Sequence, residues 1–330
     1  MAFRLTEDQE ALVQGLRSFC QGRVPLERLS ALEGKSADDR ALWSELAEMG
    51  VFHLRLPASQ GGVGLGHAEG VLVFAELGRR LVPGPLAWSH LAAGRIEGAA
   101  GGQAVVGGID LLGSAGDPVL VEHLEHLDAL LVLREEGVFR VDPAAMDAEP
   151  VSTPLDPLTP LHHAPRVPRG ERLAGPEDAR RLRRVATALV AGQLMGIAES
   201  TLELAVAYAK GREQFGRPIG SFQALKHIMA DMFVRQEAAR AAAYAAGATL
   251  DAPEVGDASR AVASAKLVAA DAALKNARAC IQIHGGMGYT WEIPAHYFLK
   301  RAWVLETSFG SADEHAERVA RSLDPGSDAG

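Results

Sequence analysis

Only two of the 330 residues are cysteine, Cys20 and Cys280, and they stand far apart in the chain. Their separation is that of neither a metal knuckle nor a redox pair, so a disulfide framework is excluded and no metal is expected. Two buried, free thiols in a reducing compartment are the reading. Basic charge is scarce too. Against 42 Asp and Glu there are 33 Lys and Arg, a formal net charge of -9, and no basic cluster is interleaved with aromatics. That balance disfavours nucleic acid as a partner. No apolar run approaches the ~20 residues that a bilayer-crossing helix needs. The opening residues, Met1 to Thr6, pass straight into an acidic amphipathic segment without the apolar core of a signal peptide. A cytoplasmic protein without a membrane span is expected. With 48% hydrophobic residues, the chain has material for about two or three packed units.

Three compositional regions follow one another. Up to residue 97 the chain reads as helical. Thr6-Glu7-Asp8-Gln9 fits a capping box, and Leu12, Val13, Leu16 and Phe19 recur at helical spacing. A second helix over 41–49 stops at Gly50, and a third over 68–81 ends before Pro83-Gly84-Pro85. From 98 to 176 the pattern changes. Short apolar runs at 103–109, 118–121, 129–133 and 138–141, parted by Gly, Pro and Asp, predict strands of a small antiparallel unit. The proline-punctuated stretch 150–176 reads as irregular or edge-strand backbone. From 177 to 323 the chain is helical again, with helices expected near 177–210, 222–250, 254–284, 294–307 and 311–323. Their small residues suit close packing in a bundle. The tail from Asp324 reads as disordered.

Gly62-Val63-Gly64-Leu65-Gly66 lacks the glycine spacing and the strand–turn–helix setting of a dinucleotide loop, so it reads as a turn. Gly211-Arg212-Glu213-Gln214-Phe215-Gly216-Arg217-Pro218 lies between two helices. Its chemistry suits a phosphate-bearing ligand: a guanidinium fork at Arg212, an amide at Gln214, a flat apolar face at Phe215, and backbone freedom at Gly216 and Gly220. An exposed, arginine-rich helical hairpin would look the same, and the segment alone leaves both readings open. Gln282-Ile283-His284-Gly285-Gly286-Met287-Gly288-Tyr289 ends a long amphipathic helix in glycines. They act both as a helix stop and as an opening for a bulky ligand, while His284 by itself reads as a structural histidine. The combination at this separation is far more specific than either part.

Taken together, Arg-x-Gln-Phe-Gly, the Ser-Phe-Gln ending at Gln223 and Gln-x-His-Gly-Gly-x-Gly-Tyr resemble the flavin-binding signature of the acyl-CoA dehydrogenase family. The resemblance runs over essentially the whole chain, strongly over 177–320, moderately over 5–90 and poorly between. It implies a mainly α fold with a small β domain: a helical N-terminal domain, a β domain, and a C-terminal four-helix bundle through which subunits pair. It implies FAD as cofactor, an acyl-CoA thioester as substrate and a separate electron acceptor. It also implies that Arg212, Gln214, Phe215, Gly216, Gln223, Gln282, Gly285 and Gly286 reach a partner's FAD at its pyrophosphate and adenosine end.

The same resemblance shows where the pattern breaks. The family's reaction needs a carboxylate to remove the Cα proton while the Cβ hydride passes to the flavin. Alignment from the Gly-Gly pair puts Phe309, before Gly310, at the usual position of that Glu. The alternative position, on the first helix of the C-terminal domain, falls on Ala186 between Val185 and Thr187. Glu306 is the one nearby candidate and reads first as a helix-end carboxylate; Glu199 and Glu203 are expected to be structural. Nothing from Gln103 to Pro118 matches the family's flavin-contacting Thr-Glu-Pro…Gly-Ser-Asp stretch. Two functional readings result. The chain is an acyl-CoA dehydrogenase with a displaced base, working as a homo-oligomer or within a heterotetramer. Alternatively it is a non-catalytic subunit that only completes the FAD site of a catalytic paralogue, as in heteromeric enzymes of steroid and lipid catabolism.

Overall fold

In the computed structural model the described residues are 4–33, 39–113 and 118–323. The tail from Asp324, read as disordered, lies outside them. Nine helices and nine strands appear among the described residues: α1 (Glu7–Arg23), α2 (Arg40–Glu48), α3 (His67–Arg79), α4 (Leu86–Ala92), β1 (Val106–Asp110), β2 (Val119–Glu122), β3 (Ala129–Arg134), β4 (Gly137–Val141), β5 (Glu149–Pro150), β6 (Leu161–Ala164), β7 (Glu171–Ala174), α5 (Pro176–Gly211), β8 (Glu213–Gln214), β9 (Arg217–Pro218), α6 (Gln223–Asp251), α7 (Ala258–His284), α8 (Ala295–Thr307) and α9 (Ala312–Leu323). They gather into two compact units. One holds the described residues of Met1–Ser30, Val71–Val82 and Ala188–Gly330, the other those of Ala31–Gly70 and Pro83–Thr187.

The first unit is a helical bundle. At its start the capping box forms as expected: the Thr6 hydroxyl accepts from the Gln9 amide at 3.2 Å, and the Gln9 side chain accepts from the Thr6 amide at 3.1 Å. Helix α5 begins in the second unit, opened by Pro176, where the missing N–H costs nothing, and from Ala188 it belongs to the first. Among the described residues one helix, α5, is apolar and long enough to cross a bilayer, and 94% of its most apolar stretch is buried inside the protein. It is a core helix. Close approach of α3 and α5 depends on glycine: a Cβ on Gly78 would lie 2.1 Å from the Gln193 carbonyl, and one on Gly196 would lie 1.9 Å from that of Ala75. Alanines do the same for α6 and α7, where Ala239, Ala243, Ala246, Ala263, Ala270 and Ala273 are buried. Asn276 ties three helices. Its amide donates to the carbonyls of Ala198 (3.2 Å) and Met232 (2.9 Å), and its oxygen accepts from Arg235 at 2.9 Å. Arg79 bonds Glu199 at 2.9 Å and Glu203 at 2.6 Å, so both acids have the structural role expected of them. Cys20 and Cys280 are free and buried, and burial pushes both thiols up to about 12. Neither is a nucleophile at neutral pH.

The second unit holds two sheets, ordered β1-β3-β4-β7 and β2-β6-β5. Two expectations need correction. The unit is not wholly antiparallel, because β1 and β3 run parallel, Val106 opposite Ala129 and Asp110 opposite Leu133. A parallel pair needs a crossover, and the chain makes one through β2, which belongs to the other sheet. Nor is 150–176 merely edge or irregular backbone, since it contains β6, the central strand of the second sheet, with the prolines confined to its flanks. Strand β3 is buried from Ala129 through Leu133, as befits a strand covered on both faces. Helix α4, which the periodicity did not single out, packs on β1. The Trp88 ring occupies the space above Gly108, where a Cβ would sit 2.2 Å from it, and the Ser89 hydroxyl bridges the Val106 amide and carbonyl at 3.0 Å each.

Two buried histidines make this unit acid-sensitive. Burial lowers His90 to about 4 against the bond from its Nδ1 to the Val51 carbonyl, and burial, with Arg55, His90 and Arg181 nearby, lowers His67 to about 3. An unfolded histidine takes its proton near 6.5 and these do so only far below it, so the folded state gains nothing by protonation. Stability is therefore complete above pH 6.5 and is lost as pH falls through that window, by about 1.4 kcal/mol per pH unit per histidine. The variant His90→Asn keeps an N–H for Val51 and should show a shallower loss between pH 6.5 and 4.5 in urea unfolding. Parallel profiles for the two proteins would refute this.

Candidate functional site

The two glycine-bearing motifs meet in the helical unit. Arg212 follows directly on α5, with its amide bonded to the Tyr208 carbonyl at 2.8 Å. Strands β8 and β9 then form a minimal hairpin, Gln214 opposite Arg217, with Phe215 and Gly216 as its two-residue loop. Both loop residues have positive φ, 53° and 72°, the geometry of the tight turn that matches strand twist. Glycine accepts this at no cost. A phenylalanine does not, and its ring is 92% exposed. Strain without burial is a mark of a functional position rather than a packing one.

Beneath the hairpin, Ile219 shares one apolar cluster with Ile281 and Ile283 of α7, Cys280 and Ala295. Alternate residues at the end of α7 thus anchor the helix, while Gln282 between them faces outward. The Tyr208 ring stacks on His284 with centroids 4.2 Å apart, and the His284 Nδ1 lies 2.8 Å from the Cys280 carbonyl. His284 is a structural histidine, and its stack joins the residue four before Arg212 to the residue before Gly285. Arg217 lies over Phe222, 4.2 Å from the ring centroid, and braces the hairpin at its base.

Arg212, Gln214, Phe215, Gly216, Gln223, Gln282, Gly285 and Gly286 are all exposed. Among the described residues Gln214 donates only to the adjacent Glu213 carbonyl, at 2.8 Å. The glycines differ in what requires them. Gly288 packs, because a Cβ there would meet the Ile281 carbonyl at 2.4 Å; Gly216 and Gly285 have positive φ. Gly286 has neither reason, with no neighbour within 4 Å and no unusual φ. Among the described residues nothing accounts for its lacking a side chain. An exposed guanidinium, amide groups and open glycine backbone on a rigid base fit a dinucleotide's phosphates. Just beyond Gly286 in the chain come more exposed apolar groups: Met287, Tyr289 at 82% and Trp291 at 65%. A patch of this kind marks an interaction surface.

The positions reserved for a catalytic base hold none. Phe309 is buried at φ 57°, before Gly310 at φ 111°. Val185, Ala186 and Thr187 are buried, and the Thr187 hydroxyl donates back to the Arg183 carbonyl at 2.8 Å. Glu306 spends its carboxylate on the start of α9, where Oε1 accepts from the Ala312 amide at 2.9 Å. The decisive residue near Phe309 is one that pattern reasoning passed over. Lys266 of α7 is 1% exposed and donates to the carbonyls of Glu306 (3.0 Å), Ser308 (2.7 Å) and Gly310 (3.1 Å). It gathers the turn that carries Phe309 into one conformation. Its position was visible in the spacing: Lys266 stands on the stripe of Val262, Ala263, Ala269 and Ala270, the buried face of α7.

The N-terminal domain model of the acyl-CoA dehydrogenase family matches residues 6–97 and its C-terminal domain model residues 182–323, so the chain belongs to that family of FAD-dependent oxidoreductases acting on CH–CH groups. It is similar to the acyl-CoA dehydrogenase IpdE2 of Mycobacterium tuberculosis, 36% identical over 83% of each protein. With FadE34 of the same organism it shares 34% identity over 97% of its own length, but it spans only 48% of that relative. Among solved structures, the ChsE4-ChsE5 complex from Mycobacterium tuberculosis contains a chain of the same fold, with TM-score 0.82 and 26% identity, covering 98% of this chain and 99% of that one.

Proposed function

We propose that the chain is one subunit of a heteromeric FAD-dependent acyl-CoA dehydrogenase, in which it completes the flavin site and a paralogue supplies the base. One observation carries the reading: the motif suited to FAD is intact, exposed and rigidly founded, while Phe309 and Ala186 occupy both positions where a carboxylate would be required. In this arrangement Arg212, Gln214, Phe215 and Gly216 would hold the pyrophosphate and adenosine end, helped by Gln223, and Gln282, Gly285 and Gly286 would contact the same end. The exposed aromatics Tyr289 and Trp291 are buried against the partner. FAD, when bound, would supply the acceptor for the Cβ hydride of an acyl thioester, with the paralogue's carboxylate taking the Cα proton and a separate acceptor reoxidising the flavin. The same reading divides the chain near residues 97 and 176 and puts the protein in the cytoplasm.

Kinship supports it. The solved relative of the same fold is described as a complex of two differently named chains. A homomeric enzyme using Glu306 is the competing arrangement, and the bond from the Ala312 amide weighs against it. The test is to purify the chain alone and with a catalytic paralogue, then compare flavin content and acyl-CoA oxidation. Colour and turnover that require the paralogue support the proposal. Full turnover by the lone chain overturns it.

A further inference from the structure

Two phenylalanines at the hairpin break local rules, and each does so in favour of the other. Phe215 carries φ 53° in the two-residue loop, a conformation that such a turn ordinarily gives to Asn, Asp or Gly. Phe222 stands at the N-cap of α6, with φ -76° and ψ 131°, and its side chain makes no cap bond. A Ser, Thr, Asp or Asn there would satisfy one of the helix's free N–H groups. Positions that give up such preferences are held by something beyond the local backbone. Here it is a contact. The two rings meet edge to face with centroids 6.1 Å apart, and Phe222 is the one ring that Phe215 meets among the described residues. Arg217 covers Phe222, its guanidinium 4.2 Å from the ring centroid. Arg217 is also directly opposite Gln214 in the hairpin, so both side chains leave on one face. Among the described residues Arg217 has no carboxylate partner, and the ring is what its charge meets. Strands β8 and β9 have two residues each, too few to hold a hairpin unaided.

We infer that Arg217 is a positioning residue: from its place over Phe222 it fixes the ring against which Phe215 is set, and so keeps the strained turn in the form that receives the flavin nucleotide, a role that rests on the flavin reading above. A cation over a ring face is attracted by the ring's quadrupole, and the edge-to-face pair then has one ring held and one ring oriented by it. A strained turn persists only while its surroundings specify it. Arg217 therefore acts through Phe222 and not at the phosphates.

Two measurements test this. In the full chain without flavin, chymotrypsin cuts after Phe215 when the turn opens, and under native conditions the rate follows the open population. Arg217→Gln should speed that cut about two- to five-fold, the worth of an exposed cation–ring contact. Arg217→Lys keeps a cation for the ring and should restore most of the protection. In the assembled pair Arg217→Gln should weaken FAD binding about two-fold or more, because the receptive fraction of the turn falls. Phe222→Leu keeps an apolar side chain against the Ile219 cluster and removes the ring. In that background Arg217→Gln should change neither the cut nor the affinity further. Equal cutting of the parent and Arg217→Gln, or unchanged FAD affinity in that variant, would overturn the assignment. So would a loss of FAD affinity just as large in the Phe222→Leu background, which would put Arg217 on the phosphates directly. Unchanged FAD affinity in Arg212→Ala would remove the flavin reading, and the chymotryptic arm would still decide whether Arg217 holds Phe215.

Discussion

Prepared without a paralogue, the chain should oxidise acyl-CoA about 10²–10⁴-fold more slowly than the assembled pair, the usual cost of a missing proton-transfer group. The deficit has a structural origin at both ends. At Phe309 the backbone is left-handed and the turn is gathered by Lys266, so a carboxylate cannot enter by a slip of one turn without breaking those bonds. At Ala186 the helix interior is packed on all sides. Glu306→Gln separates the readings. Its side-chain oxygen still accepts from the Ala312 amide, so the variant should fold, and the pair should turn over at its former rate. A drop of a hundred-fold in the pair would promote Glu306 to base.

Replacing Lys266 by Ala should cost about 3 kcal/mol or more in unfolding free energy. The substitution strips the ammonium from three carbonyls, each buried polar group left unsatisfied being worth about 1–3 kcal/mol, and removes the buried stem as well. Lys266→Met retains the stem and should fall between the variant and the parent. Chemical denaturation followed by circular dichroism makes the comparison, and unchanged midpoints for Lys266→Ala would show that the Ser308–Gly310 turn holds itself.

Local signals carried the helices well. The capping box at Thr6, the stop at Gly50 and the glycine-flanked ends at 211 and 284 are short-range chemistry, and the observed helix limits fall within a few residues of those expected. Pairing across the sheets was not legible. Whether Val106 to Asp110 runs parallel or antiparallel to its neighbour depends on where β2 goes, and β2's own residues say only that it is a strand. Helix α4 escaped notice because it is buried on every side, so no polar face gave it a period. In the candidate site, the residue types of Arg212-to-Gly216 and Gln282-to-Gly286 were plain, and the structure adds what joins them: the Ile219–Ile281–Ile283 base and the Tyr208–His284 stack. Those contacts involve residues that look like ordinary core in a string of letters.

A heteromeric enzyme of the kind proposed needs Arg212 of this chain to hold FAD in the assembled pair. Flavin dissociation from the purified pair, measured with Arg212→Ala in this chain and the paralogue unaltered, tests it most directly. Loss of a charge-assisted bond to phosphate, about 1.5–3 kcal/mol, should weaken flavin binding roughly 10- to 150-fold. Unchanged flavin affinity in that pair would contradict the account.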